Sequence, residues 1–107
     1  MKSPALALSL LSLSLATFSF NAHANDGEAT YNKACKMCHA SGAMGAPMVG
    51  KKADWEARIA KGIATLETNS INGFRGFKGM MPARGGYPKL TDDEVKAAVA
   101  FMVSSLD

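Results

Sequence analysis

Cysteine is scarce in this chain of 107 residues: there are 2, Cys35 and Cys38. Thiols three positions apart close no useful loop, so a scaffold stapled by several disulfides is excluded. Charge of one sign is also in short supply. The sequence pI is about 9.0, yet the formal net charge is only +3 and is spread evenly, which does not argue for nucleic acid. No internal repeat and no low-complexity tract is visible. Hydrophobic residues make up 48% and charged residues 20%, with mean hydropathy +0.01. These are globular values, and they exclude disorder throughout and collagen-like repeats. The length allows one domain at most.

One long apolar run is present, at the N-terminus. Met1-Lys2 gives a short positive start, Ala5 to Phe20 carries no charge, and Ala22-His23-Ala24 is a small-x-small cleavage site. This is the layout of a secretory signal peptide. The Leu-Ser alternation inside it has a strand's period of two, but its position and flanks favour a leader. As an uncleaved anchor it is too short, because a spanning helix needs about 20 apolar residues. Cleavage after Ala24 would leave Asn25–Asp107 as the mature domain, 83 residues (107 less the first 24). His39 is then its one histidine. A core of that size is marginal without a disulfide, a metal or a bound cofactor.

The rest reads as short helices joined by glycine-rich loops. A first helix is expected from Asp26 to about Met37, capped by Asn25 or Asp26, with Gly27, Tyr31, Ala34, Cys35 and Cys38 on one face. Ser41 to Gly50 is loop. Asp54 can cap a helix from Trp55 to Lys61 that Gly62 stops, and Thr65 another that ends at Asn72-Gly73. Gly73 to Pro88 is loop again, yet it carries Phe74, Phe77, Met80, Met81 and Tyr87. A loop that apolar must pack on something. Thr91-Asp92-Asp93-Glu94 is a capping box. Val95, Ala98, Val99, Met102, Val103 and Leu106 then trace one helical face. No strand pattern competes, so the expected class is all-α.

Cys35-Lys36-Met37-Cys38-His39 is C-x-x-C-H. On a helix these cysteines and the histidine project from one face. Two thiols can each add to a vinyl group of haem, and the adjacent imidazole then lies under the iron as an axial ligand. Other uses of the motif fit less well. Structural zinc needs four ligands, and the mature chain offers Cys35, Cys38 and His39. A redox dithiol wants a βαβ context that is missing, and a surface disulfide would leave His39 idle. For the sixth iron position no second histidine remains, which points to methionine. Met37 sits inside the tether, Met44 and Met48 follow closely on the proximal side, and Met102 lies on a core stripe. Met80 and Met81 are far enough along the chain to wrap over the opposite face. Pro82 holds the backbone of Met81 extended, which favours Met81, with Met80 as the fallback.

From Gly27 to Leu106 the chain resembles a small class I bacterial c-type cytochrome, most closely the cytochrome c-five group. The resemblance is carried by Tyr31 to His39, Gly45-Ala46-Pro47, Trp55 to Arg58, Gly79-Met80-Met81-Pro82 and the helix from Asp93 to Val99. It implies three to five short helices around one covalent haem c, attached at Cys35 and Cys38. It implies His39 and Met81 as axial ligands. It further implies that the Pro47 carbonyl accepts the His39 N–H, that Trp55 and Arg58 line the haem pocket or meet its propionates, and that Gly27, Tyr31 and Phe101 join the first and last helices. Some members carry a second cysteine pair that staples the methionine loop, and this chain has none.

A six-coordinate His/Met haem leaves no open position for substrate and changes little between oxidation states. The resemblance therefore implies a soluble periplasmic one-electron carrier, not an enzyme. Its partners would be redox proteins such as a quinol-oxidising complex, a terminal oxidase or a reductase. Lys33, Lys36, Lys51, Lys52 and Arg58 cluster near the attachment motif and could steer it toward acidic partners. Two rivals stand beside this reading: a five-coordinate haem that senses or transforms a small gas or peroxide, and a haem subunit of a larger complex.

Overall fold

A computed structural model describes residues 2–5, 12, 14 and 23–106. The expected leader, Met1–Ala24, lies for the most part outside them. Helix α1 (His23–Thr30) runs without a break through a π-helical turn (Tyr31–Cys35) into α2 (Lys36–His39). The expected start and caps are corrected: Asn25 and Asp26 are both inside α1. The expected end near Met37 moves to His39, because the Lys36 N–H reaches the Tyr31 carbonyl and carries the helix onward. Gly42 then turns left-handed (φ 75) and its N–H bonds the Cys38 carbonyl at 2.9 Å, which closes the helix.

Helix α3 is Lys52–Ile59, three residues earlier at its start than expected. Lys51 stands at the cap position. Asp54 is in the first turn instead, where it also meets the helix's positive end. Helix α4 (Ile63–Asn72) begins directly after Gly62, so Thr65 is inside it and does not cap it. The second displacement has a plain cause: Gly62 at φ 96 breaks the chain sharply, and the next helix starts at once on the far side.

The class is helical, as expected, but one strand pair escaped the sequence. β1 (Phe74–Arg75) and β2 (Met80–Met81) pair antiparallel, with Phe74 opposite Met81 and Arg75 opposite Met80. Strands this short show no alternation. Their pairing is set by the turn between them, which Gly76 N–H closes on the Gly79 carbonyl at 2.8 Å. Helix α5 (Asp92–Ser104) has the full capping box: Glu94 N–H donates to Thr91 Oγ1 at 3.1 Å, and Thr91 N–H to Glu94 Oε1 at 3.3 Å. Val95, Ala98, Val99 and Met102 are buried along it, on the face the periodicity marks.

The crossing of α1 and α5 sets the frame. Gly27 is buried there, and a Cβ on it would stand 2.3 Å from the Ala97 carbonyl oxygen. One turn on, the Tyr31 and Phe101 rings lie 5.2 Å apart between centroids. Tyr31, Trp55 and Met102 form the buried core beside this contact. Gly27→Ala should therefore lower unfolding stability by about 1–3 kcal/mol through over-packing. Thermal and denaturant unfolding check this, with the exposed neighbour Glu28→Ala near wild type.

Candidate functional site

The segment after the C-x-x-C-H turn folds back on it through main-chain bonds. Val49 N–H donates to the His39 carbonyl at 2.8 Å. His39 Nδ1 lies 2.8 Å from the Pro47 carbonyl oxygen. A carbonyl only accepts, so Nδ1 carries the proton and Nε2 keeps its lone pair. The ring is 8% exposed. Burial lowers its pKa, the Pro47 bond opposes that in part, and the nearby Arg58 charge adds to the fall. The imidazole is thus neutral at neutral pH, with a fixed tautomer. This is the state in which histidine ligates a metal.

Trp55 forms the next layer. It is 3% exposed, its ring centroid is 6.1 Å from that of His39, and its Nε1–H donates to the Met48 carbonyl at 2.7 Å. Its polar edge therefore ties down the loop that carries Pro47 and Met48. Arg58 Nη1 donates to the Asp54 carbonyl at 2.5 Å, on its own helix. Asp54 accepts from Met48 N–H at 3.1 Å and pairs with Lys51 at 3.7 Å. Nothing in the sequence singled Asp54 out for this; it read as a cap. Lys51 and Arg58 thus have partners close by, and Lys33 lies over the Tyr87 ring, 5.9 Å from its centroid.

Cys35 and Cys38 are both free thiols and half-buried. Burial, and secondarily the Cys38 thiol, push the Cys35 pKa up to about 11. Cys35 lines an apolar crevice with Met81, Leu90 and the α5 residues Val95, Val99 and Met102. Thus the chain brings Cys35 and Met81 to one crevice and His39, Pro47 and Trp55 to one layer, with the α2 turn between them.

The methionines differ sharply in setting. Met80 and Met81 are consecutive in β2, so their side chains take opposite faces. Met81 is half-buried at the crevice. Met80 is 45% exposed, and its Sδ accepts from Arg75 Nη2 at 3.5 Å. Met37 and Met44 are exposed, and Met102 is buried on α5. Arg84 went unnoticed in the sequence. It joins the loop after Met81 to the start of α5, with Nη1 on the Leu90 carbonyl at 2.8 Å and Nη2 on Asp92 Oδ1 at 2.6 Å. No local spacing signals that bridge.

The chain is similar in sequence and fold to known proteins. The family model described as cytochrome c oxidase, cbb3-type, subunit III matches residues 22–102. Cytochrome c-555 of Chlorobaculum tepidum is 52% identical over 101 residues, covering 94% of this chain and 92% of that protein. Cytochrome c-555 of Chlorobaculum thiosulfatiphilum is 60% identical, covering 72% and 90%. Cytochrome c5 of Azotobacter vinelandii is 37% identical, covering 74% and 93%. The chain belongs to the class I c-type cytochromes. Among solved structures, a cytochrome c in an electron-transfer complex with nitrite reductase aligns with TM-score 0.67 at 35% identity, covering 77% of this chain and 95% of that one. A mono-haem ferrocytochrome c from Shewanella putrefaciens aligns with TM-score 0.60 at 44% identity, covering 72% and 90%.

The cofactor of this cytochrome is accordingly a covalently attached haem c, and its relatives are mono-haem electron-transfer proteins. The residues present suit that group: free paired thiols, a neutral buried imidazole, and an apolar crevice reached by a thioether. No helix among the described residues is long and apolar enough to cross a membrane. Trp55→Phe keeps most of the packing but removes the indole donor from the Met48 carbonyl, which still accepts from Lys51 N–H at 3.1 Å. It should cost about 0.5–1.5 kcal/mol, measured by denaturant unfolding of the haem-loaded protein.

Proposed function

We propose that this cytochrome is a soluble periplasmic one-electron carrier, with haem joined to Cys35 and Cys38 and ligated by His39 and Met81. Two observations carry the reading: Cys35 and Met81 line one apolar crevice, and His39, one helical turn on from Cys35, has a tautomer that leaves Nε2 free. When bound, the haem supplies an iron that accepts and releases a single electron. The chain does the rest. The Pro47 carbonyl holds the Nδ1 proton, keeps the imidazole oriented and raises its basicity. Trp55 packs beside that ring and anchors the loop that bears the carbonyl. Val95, Val99 and Leu90 keep water from the crevice. Pro82 and the pairing with Phe74 restrict the Met81 backbone, so the thioether needs little rearrangement between redox states.

Export is supported by the charge, apolar run and small-x-small site of Met1–Ala24. Cleavage after Ala24 would trim His23 and Ala24 from α1. The family model's description names an oxidase subunit, yet the chain spans nine-tenths or more of small cytochromes such as c-555 and c5. That match in size favours a carrier that moves between larger partners: a quinol-oxidising complex, a terminal oxidase or a reductase. The neighbour bound to nitrite reductase supports the last of these.

The haem-loaded protein should resist acid–acetone extraction and give, in alkaline pyridine, the spectrum of haem bound by two thioethers. Its ferric form should show the far-red methionine-to-iron charge-transfer band. Met81→Ala should abolish that band and Met80→Ala preserve it. Survival of the band in Met81→Ala would move the ligand elsewhere. Lys33, Lys36 and Lys52 lie close to the motif in sequence, and Lys36 and Lys52 are exposed. Electron transfer to an acidic partner should slow as salt rises through about 0.1–1 M, where the screening length falls from about 10 to 3 Å. Stopped-flow rates independent of ionic strength would reject charge steering.

A further inference from the structure

The loop that bears Met81 meets the loop after His39 main chain to main chain at two glycines. A Cβ at Gly79 would stand 1.9 Å from the Met44 carbonyl oxygen, and one at Gly45 would stand 2.1 Å from the Lys78 carbonyl oxygen. The contact is reciprocal. Each glycine offers its bare Cα to the carbonyl just ahead of the other glycine, the arrangement of paired Cα–H···O contacts. Met44 itself is left-handed (φ 56), a conformation that a non-glycine residue keeps only when its surroundings enforce it. Beyond Met81, Gly85 approaches the Ala34 carbonyl in the same manner, with a Cβ 2.5 Å from the oxygen. Ala34 adjoins Cys35. The strand pair holds Met81 between these two approaches.

We propose that Gly45 and Gly79 are positioning residues for Met81: their interlocked main chains hold the methionine loop against the histidine loop without a covalent link. The inference rests on the assignment of Met81 as the axial ligand. Each glycine meets a carbonyl of the other loop first, so neither loop can shift without losing the reciprocal fit. Any side chain there must drive the loops apart by more than an ångström.

In the haem-loaded protein, Gly45→Ala and Gly79→Ala should weaken the far-red band. They should also let added imidazole displace the methionine at a concentration about tenfold lower than in wild type. Gly50→Ala is the matched control. Its φ of +83 is close to the +78 of Gly45, yet nothing lies within 4 Å of its Cβ. It carries the backbone strain without the contact and should keep the wild-type band and imidazole affinity. Wild-type behaviour of Gly45→Ala and Gly79→Ala in both readouts would overturn the proposal, as would an equal shift in Gly50→Ala. Either glycine variant alone decides it. If neither accumulates, amide exchange in the wild type serves: imidazole should speed exchange in both loops together, and acceleration confined to 76–81 would overturn the proposal. Retention of the band in Met81→Ala is a different failure, that of the ligand assignment.

Discussion

The close approach of α1 and α5 at Gly27 is the constraint on which the remainder of the fold depends. With the Ala97 carbonyl where a side chain would otherwise stand, the two helices meet backbone to backbone, and the Tyr31–Phe101 contact fixes their crossing. That crossing places Cys35, on the continuation of α1, across from Val95, Val99 and Met102 of α5. The crevice follows from the crossing. An α1 set farther off would widen the wall against which the methionine loop must pack, and the apolar burial that stabilises a chain this small would fall with it.

Around the crevice the polar contacts come largely from main-chain carbonyls. Pro47 orients the imidazole, Met48 anchors the indole, Leu90 receives Arg84, and Met44, Lys78 and Ala34 fill the spaces left by glycines. Carbonyls cannot be removed by substitution. The site is therefore sensitive to loop length and to added bulk at Gly45, Gly79 and Gly85. The burial of His39 works in the same direction, since it keeps the ring neutral while the Pro47 bond chooses which nitrogen stays bare.

Much of this was legible in the sequence, and the parts that were not share a physical character. The C-x-x-C-H spacing, the Thr91–Glu94 capping box and the α5 stripe are local patterns, and each appears where its periodicity marks it. The helix starts were less legible. Asp54 reads as a cap because its side chain can accept from a helix N–H, but here it accepts from Met48 N–H six residues back. Thr65 fails as a cap because Gly62 already turns the chain. The Phe74–Met81 pairing, the Arg84 bridge and the Gly45–Gly79 fit join segments that neither propensity nor spacing links. Glycine richness in 73–88 read as loop and its apolar residues as packed, but neither signal told that several of those glycines stand where another backbone closes in.

This distinction bears on how a redox site can be rigid without cross-links. Met80 and Met81 have the same chemistry and adjacent positions, and two-residue alternation alone sends one toward the crevice and the other toward Arg75. A slip of one residue in the pairing would exchange them. The register must therefore be held from outside so short a ladder. The contacts able to do so are those at Gly79 on one side and Gly85 on the other, where the spacing to the Met44 and Ala34 carbonyls admits no alternative residue without displacement. Choice of thioether then follows from backbone contact geometry, and the side chain's own chemistry matters only after that choice is made.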